Sequence, residues 1–184
     1  FYFTERDQYI KNKNAKIIID KLPLNVVNVG EILRFFPNAK FILALRHPYD
    51  CVLSCFMQNF SLNNAMANFL NLEDTSKLYN LTMKLWSKYI NIFSIKFHTI
   101  KYEDVIVNFD QTIRELLKFL NLDWSDKVLD FHKTASKRGI ISTPSYNQVS
   151  QPIYKSSLNR WKNYEKNFTE SKIYLDPWIK KFSY

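Results

Sequence analysis

Glycine is almost missing from this chain: Gly30 and Gly139 are the only two among 184 residues. A loop that cradles phosphate on successive backbone amides needs several glycines close together, so none can exist within these residues. Cysteine is as scarce. Cys51 and Cys55 stand four apart in a stretch that reads as helix, which excludes a disulfide framework and a structural zinc site. No apolar run approaches the roughly 18 residues that a membrane-crossing helix needs, and no segment reads as a signal peptide. Arginine is sparse too. Only 6 of the 26 basic residues are Arg, so the net charge of +9 reflects lysine abundance more than the Arg enrichment of specific phosphate readers.

What is present suits one domain with a real core. Hydrophobic residues make up 46% and aromatics 16%, enough to bury the interior of a single domain over residues 1–184. The charge is uneven: residues 125–184 hold +6 of the excess. The chain opens Phe1-Tyr2-Phe3, without Met, and the expectation is a fragment.

Lys16-Ile17-Ile18-Ile19-Asp20 is a β-branched run that predicts a buried strand. Apolar residues at 26, 29, 32, 33 and 36 predict a helix over Leu24–Phe36. Phe41–Leu45 reads as a second strand, followed by a helix from Pro48 and Asp50 to Asn59. A long amphipathic helix is expected over Thr75–Phe97, then a third strand at His98–Tyr102 and helices at Asn108–Leu120 and Ser125–Phe131. The polar stretch Ala135–Tyr154 reads as a long loop, and helical pieces near 156–164 and 170–181 close the chain. Strands alternating with helices predict an α/β fold with a parallel sheet flanked by helices.

In such sheets ligands sit at the carboxyl ends of strands. That places Asp20-Lys21, Arg46 and Tyr102-Glu103 as candidates. Arg46 directly precedes a helix N-terminus, so its guanidinium and the free helix amides can meet one anion. Ser54, two turns along, could add a hydroxyl. The plain alternative is an Arg46–Asp50 ion pair, a solvated Lys21 and a packed Tyr102. Cys51 and Cys55 read as buried thiols, and His47, His98 and His132 show no metal spacing.

Several stretches, in order, resemble sulfotransferases that use 3′-phosphoadenosine 5′-phosphosulfate, in particular tyrosylprotein sulfotransferases and bacterial proteins that join such a domain to tetratricopeptide repeats. They are Asp20-Lys21-Leu22-Pro23, Phe36-Pro37-Asn38-Ala39-Lys40-Phe41-Ile42, and Arg46-His47-Pro48-Tyr49-Asp50 with Ser54. Lys101-Tyr102-Glu103-Asp104 follows, then Gln148-Val149-Ser150-Gln151-Pro152-Ile153-Tyr154 leading into Ser156-Ser157-Leu158-Asn159-Arg160-Trp161.

The resemblance implies a P-loop-kinase-like fold and an enzyme that moves a sulfuryl group to an acceptor hydroxyl, releasing 3′,5′-adenosine bisphosphate without a metal. It implies that Arg46 and Ser54 bind the 3′-phosphate, that Lys21 approaches the transferring group and leaving oxygen, and that Ser145 lies near the same centre. Tyr102 would line the cofactor pocket, and the loop carrying Gln148 and Lys155 would close over the nucleotide. The acceptor is left open among protein tyrosine, glycan and small alcohol. Upstream tetratricopeptide repeats are an implied neighbour; nucleic acid is not an implied partner.

The chain departs from the family pattern in three places. The family's first strand and its G-x-x-R-S-G-T/S loop are absent, and so is the Glu that serves the tyrosylprotein enzymes as base. Glu5 is the only nearby carboxylate candidate. Gln58 stands where those enzymes have a second Arg. The expectation is therefore a domain that lacks its first strand and phosphate loop and is inactive by itself. A cytoplasmic location is favoured by the two unframed cysteines without being fixed by them. The competing reading is a basic nucleic-acid-binding domain, with lysines of residues 125–184 interleaved by Trp161 and Tyr164.

Overall fold

The computed structural model describes residues 2–9, 15, 17–133, 153 and 155–184. Helix α1 (Tyr2–Tyr9) opens the chain, and a 3-10 turn at Pro23–Asn28 leads into α2 (Val29–Phe35). Strand β1 (Lys40–Leu45) feeds α3 (Pro48–Phe56), a 3-10 turn at Met66–Phe69, α4 (Leu72–Ile92) and strand β2 (Lys96–Lys101). Helices α5 (Tyr102–Val107) and α6 (Phe109–Leu120) follow, then 3-10 turns at Asp126–Val128 and Arg160–Phe168, and finally α7 (Lys172–Phe182).

The two strands pair in parallel, with Lys40 opposite Lys96 and Leu45 opposite Lys101. Parallel neighbours need a crossover, and α3 with α4 supplies it. Side chains of β1 alternate, so Leu43 and Leu45 share one face. There they join Val29 of α2, Met83 and Trp86 of α4 and Trp178 of α7 in one buried cluster. Helix α6 takes the opposite face, where His98 stacks on Phe119 at 5.5 Å and Lys40 Nζ donates to the Phe119 carbonyl at 2.6 Å. The observed class is α/β.

Helix α4 ties the layers together. Asn71 caps it by accepting the Asp74 N–H at 2.8 Å, which satisfies one of the otherwise orphaned first-turn donors. Along its length, Tyr89 donates its hydroxyl to the Val27 carbonyl at 2.9 Å, and Asn80 accepts the Trp178 indole N–H at 3.0 Å. A second buried cluster joins Tyr49, Val52 and Leu53 of α3 to Phe168 and Leu175 near the end of the chain. That cluster brings residues 155–184 against α3.

The strand expected at Lys16–Asp20 does not form: Ile17–Asp20 have no regular structure, and Ile19 is 72% exposed. β-branched residues favour extended backbone, but a strand needs a neighbour to bond. Among the described residues the sheet holds only β1 and β2. The long helix stops at Ile92 rather than running to Phe97, because Lys96–Lys101 are taken up by β2. The helix expected at Ser125–Phe131 is a 3-10 turn over Asp126–Val128. Among the described residues no helix is long and apolar enough to cross a membrane.

Candidate anion site at the strand ends

The parallel register sets up the site. Leu45 faces Lys101, so the next residues, Arg46 and Tyr102, are neighbours, and so are His47 and Glu103. Helix α5 starts at Tyr102 and takes the backbone of that strand out of the ladder. Side chains replace it. The Arg46 guanidinium carbon sits 5.2 Å from the Tyr102 ring centroid, a cation–π distance. The His47 N–H donates to Glu103 Oε1 at 2.9 Å.

Among the described residues Arg46 forms no ion pair with a carboxylate. Its Nη2 donates to the Ser157 carbonyl at 2.6 Å. Its Nε is buried and has no partner among the described residues. The ion pair suggested by the Arg46–Asp50 spacing is not formed. Asp50, 1% exposed, instead accepts the Trp161 backbone N–H at 2.8 Å, while its Oδ2 is buried without a partner among the described residues. A buried carboxylate finds a neutral donor where one is presented, and Trp161 presents one.

Helix α3 starts immediately after this arginine, with Pro48 at its first position. Proline lacks an N–H, but the following first-turn amides point out of the helix and favour negative charge. Ser54 is half-buried two turns along. The adjacent thiols register the same cation. Cys55 is drawn below its ordinary pKa, first by a hydrogen bond from Cys51 and also by Arg46. Cys51 is raised by that same hydrogen bond and by burial.

Aromatic rings close one side. His47 stacks on Trp161 with centroids 5.2 Å apart and meets the edge of Tyr184 at 5.2 Å. Burial lowers the pKa of His47 in spite of Asp50 and Glu103 nearby. The Tyr184 hydroxyl donates to Glu103 Oε2 at 3.1 Å. Burial and that carboxylate together raise the Tyr184 pKa.

The structure therefore brings Arg46 and Tyr102 together, with Ser54 on the helix that Arg46 introduces. Lys155 is exposed, two residues before the carbonyl that holds Arg46. Lys21 is exposed in irregular chain beyond Asp20 and has no hydrogen bond to the site among the described residues. Ser145 and Gln148 lie outside the described residues. Four participants had no assigned role in the sequence: the Glu103 carboxylate, the Tyr184 hydroxyl, the Trp161 N–H and the Ser157 carbonyl. Glu103 had a signal in its place at a strand end, and Ser157 and Trp161 lay in a stretch that carries the resemblance; Tyr184 had none. Beyond α3 lies an open cavity of about 290 Å³ lined by uncharged residues including Phe56, Gln58, Phe60 and Leu62.

A family model described as "Sulfotransferase family" matches residues 3–126. The chain is 34% identical over 169 residues to an uncharacterized protein of Aquifex aeolicus, covering 91% of this chain and 22% of that protein. It is 25% identical over 152 residues to protein-tyrosine sulfotransferase 2 of Gallus gallus, covering 80% and 40% respectively. This chain thus spans less than half the length of either relative. Among solved structures, the sulfotransferase domain from the curacin biosynthetic pathway superposes with a TM-score of 0.67 at 17% identity, covering 98% of this chain and 67% of that one. At that identity the likeness speaks for the fold alone.

Proposed function

The chain belongs to the sulfotransferase family, and on that premise we propose that it binds 3′-phosphoadenosine 5′-phosphosulfate through the 3′-phosphate and serves transfer of the sulfuryl group to an acceptor hydroxyl. The observation that carries this reading is Arg46, half-buried at a strand end, with a bare Nε and no carboxylate partner among the described residues. When bound, the donor supplies an activated sulfuryl group on a phosphate leaving group.

For such an in-line displacement the protein's work is mostly placement and charge neutralisation. In this reading Arg46, the first amides of α3 and the Ser54 hydroxyl hold the 3′-phosphate. Tyr102 supports the guanidinium from below and offers an apolar face to the pocket. Lys155 and Gln148 belong to the segment that covers the nucleotide. Lys21 and Ser145 neutralise charge on the leaving oxygen and the transferring group. Of the three acceptor classes, a polypeptide tyrosine has the support of the chicken relative's name; a glycan or small alcohol is the alternative.

The nucleic-acid reading has less support. Its interleaved aromatics are already engaged: Trp161 packs on Tyr49 at 4.8 Å and on His47 at 5.2 Å, and Tyr164 packs on the second core cluster. Rings packed this way are not platforms for bases.

The test is turnover by the full-length protein, given the donor and separate panels of tyrosine peptides, glycans and small alcohols. Release of 3′,5′-adenosine bisphosphate together with a sulfated product is the expected result. Donor left intact with every panel would contradict the proposal.

A further inference from the structure

We propose that Glu103 is a positioning residue that orients Arg46 for its anion, with Tyr184 holding the carboxylate in place. The inference rests on the 3′-phosphate reading given above and adds to it a residue that does not touch the ligand.

Two separate parts of the chain converge on this carboxylate. Oε1 accepts the His47 N–H at 2.9 Å, and Oε2 accepts the Tyr184 hydroxyl at 3.1 Å. The His47 N–H belongs to the peptide unit that leaves Arg46. The ladder with β2 holds the chain up to Leu45, and Glu103 holds it again one residue beyond Arg46. The root of the arginine is therefore fixed on both sides. A charged acceptor on that amide makes a stronger, more directional bond than a neutral one.

Tyr184 is itself held. Helix α7 ends with Ser183 in the left-handed region, and the Tyr184 N–H returns to the Ile179 carbonyl at 3.1 Å. Lys101 reaches over its ring at 4.7 Å and donates to the Ser183 carbonyl at 3.2 Å. With both oxygens engaged by these donors, Glu103 forms no ion pair with Arg46, and the guanidinium stays available. Tyr102 and Glu103 are consecutive, so one short stretch supports the arginine by its ring and orients it through its carboxylate.

The test compares dissociation constants of the full-length protein for adenosine 3′,5′-bisphosphate and for adenosine 5′-phosphate. Glu103→Ala is expected to weaken the bisphosphate by about tenfold and the 5′-phosphate by less than about twofold, because only the former engages Arg46. Glu103→Gln keeps an oxygen for the His47 N–H and should bind within about threefold of the parent. Tyr184→Phe removes one donor only and should weaken the bisphosphate alone, by about threefold. It serves in place of Glu103→Ala if that variant does not fold. Equal losses for both nucleotides, or no loss for either, would overturn the positioning role. A parent that does not prefer the bisphosphate would overturn the 3′-phosphate reading, and this inference with it.

Discussion

Asp50 accepts the backbone N–H of Trp161 at 2.8 Å across 111 residues of sequence and forms no ion pair with Arg46, whose guanidinium donates to the Ser157 carbonyl instead. The carboxylate four residues from the arginine is turned toward the 3-10 turn at Arg160–Phe168. Replacing it separates two effects. Asp50→Ala leaves a buried donor alone and should lower unfolding free energy by about 1–3 kcal/mol. Asp50→Asn keeps an acceptor oxygen and removes a buried charge. It should leave stability within about 1 kcal/mol of the parent and tighten binding of adenosine 3′,5′-bisphosphate. Urea unfolding and a binding titration check the two halves; equal destabilisation by both variants would contradict this role for Asp50.

His47 makes stability depend on pH. Burial holds its folded pKa below the ordinary 6.5. The unfolded chain therefore binds a proton at higher pH than the folded one. The contribution of this group is complete above about pH 6.5 and is lost as pH falls through the lower, folded value. Thermal melts should show the midpoint dropping over that interval. His47→Phe, which keeps a ring against Trp161 and cannot titrate, should flatten the drop. An unchanged slope in the variant would assign the pH dependence elsewhere.

Phe168 anchors the end of the chain on α3. It is 0% exposed and packs with Tyr49, Val52, Leu53 and Leu175. Phe168→Ala should cost about 3–5 kcal/mol in denaturant unfolding. It should also weaken anion binding more than a comparable loss at Met83, because Ser157 and Trp161 approach the site on the segment that Phe168 secures. Equal binding losses at the two positions would contradict that link.

The two thiols should differ in reactivity. Cys55 is the more acidic partner, through the hydrogen bond from Cys51 and the nearby Arg46. Near neutral pH, iodoacetamide should label Cys55 before Cys51, since the thiolate is the nucleophile. Cys51→Ala and Arg46→Ala should each slow labelling of Cys55. Peptide mapping reads the order directly, and preferential labelling of Cys51 would contradict it.

The sequence made the order of elements legible because β1, α4, β2 and α6 each carry a clear period or a bounded apolar run. It also marked Arg46 and Tyr102, since a strand end followed by a helix is a local pattern. It misjudged Ile17–Asp20, where β-branched residues favour extended backbone but cannot supply a partner strand. It left the fate of Asp50 open between a pair four residues away and a contact it could not see. The acceptor for Arg46 is a main-chain carbonyl at Ser157, which has no side-chain signature. The bridge from His47 through Glu103 to Tyr184 joins segments 56 and 81 residues apart, and only the folded chain brings them together.

The most direct measurement of the central claim is calorimetric titration of the full-length protein with adenosine 3′,5′-bisphosphate, for the parent, Arg46→Lys and Arg46→Ala. The parent guanidinium, whose Nε has no partner among the described residues, should bind best. Lys should retain part of the affinity and Ala should lose at least about tenfold, or about 1.4 kcal/mol. Affinity that is unchanged in Arg46→Ala would contradict the assignment of the strand-end arginine to the 3′-phosphate.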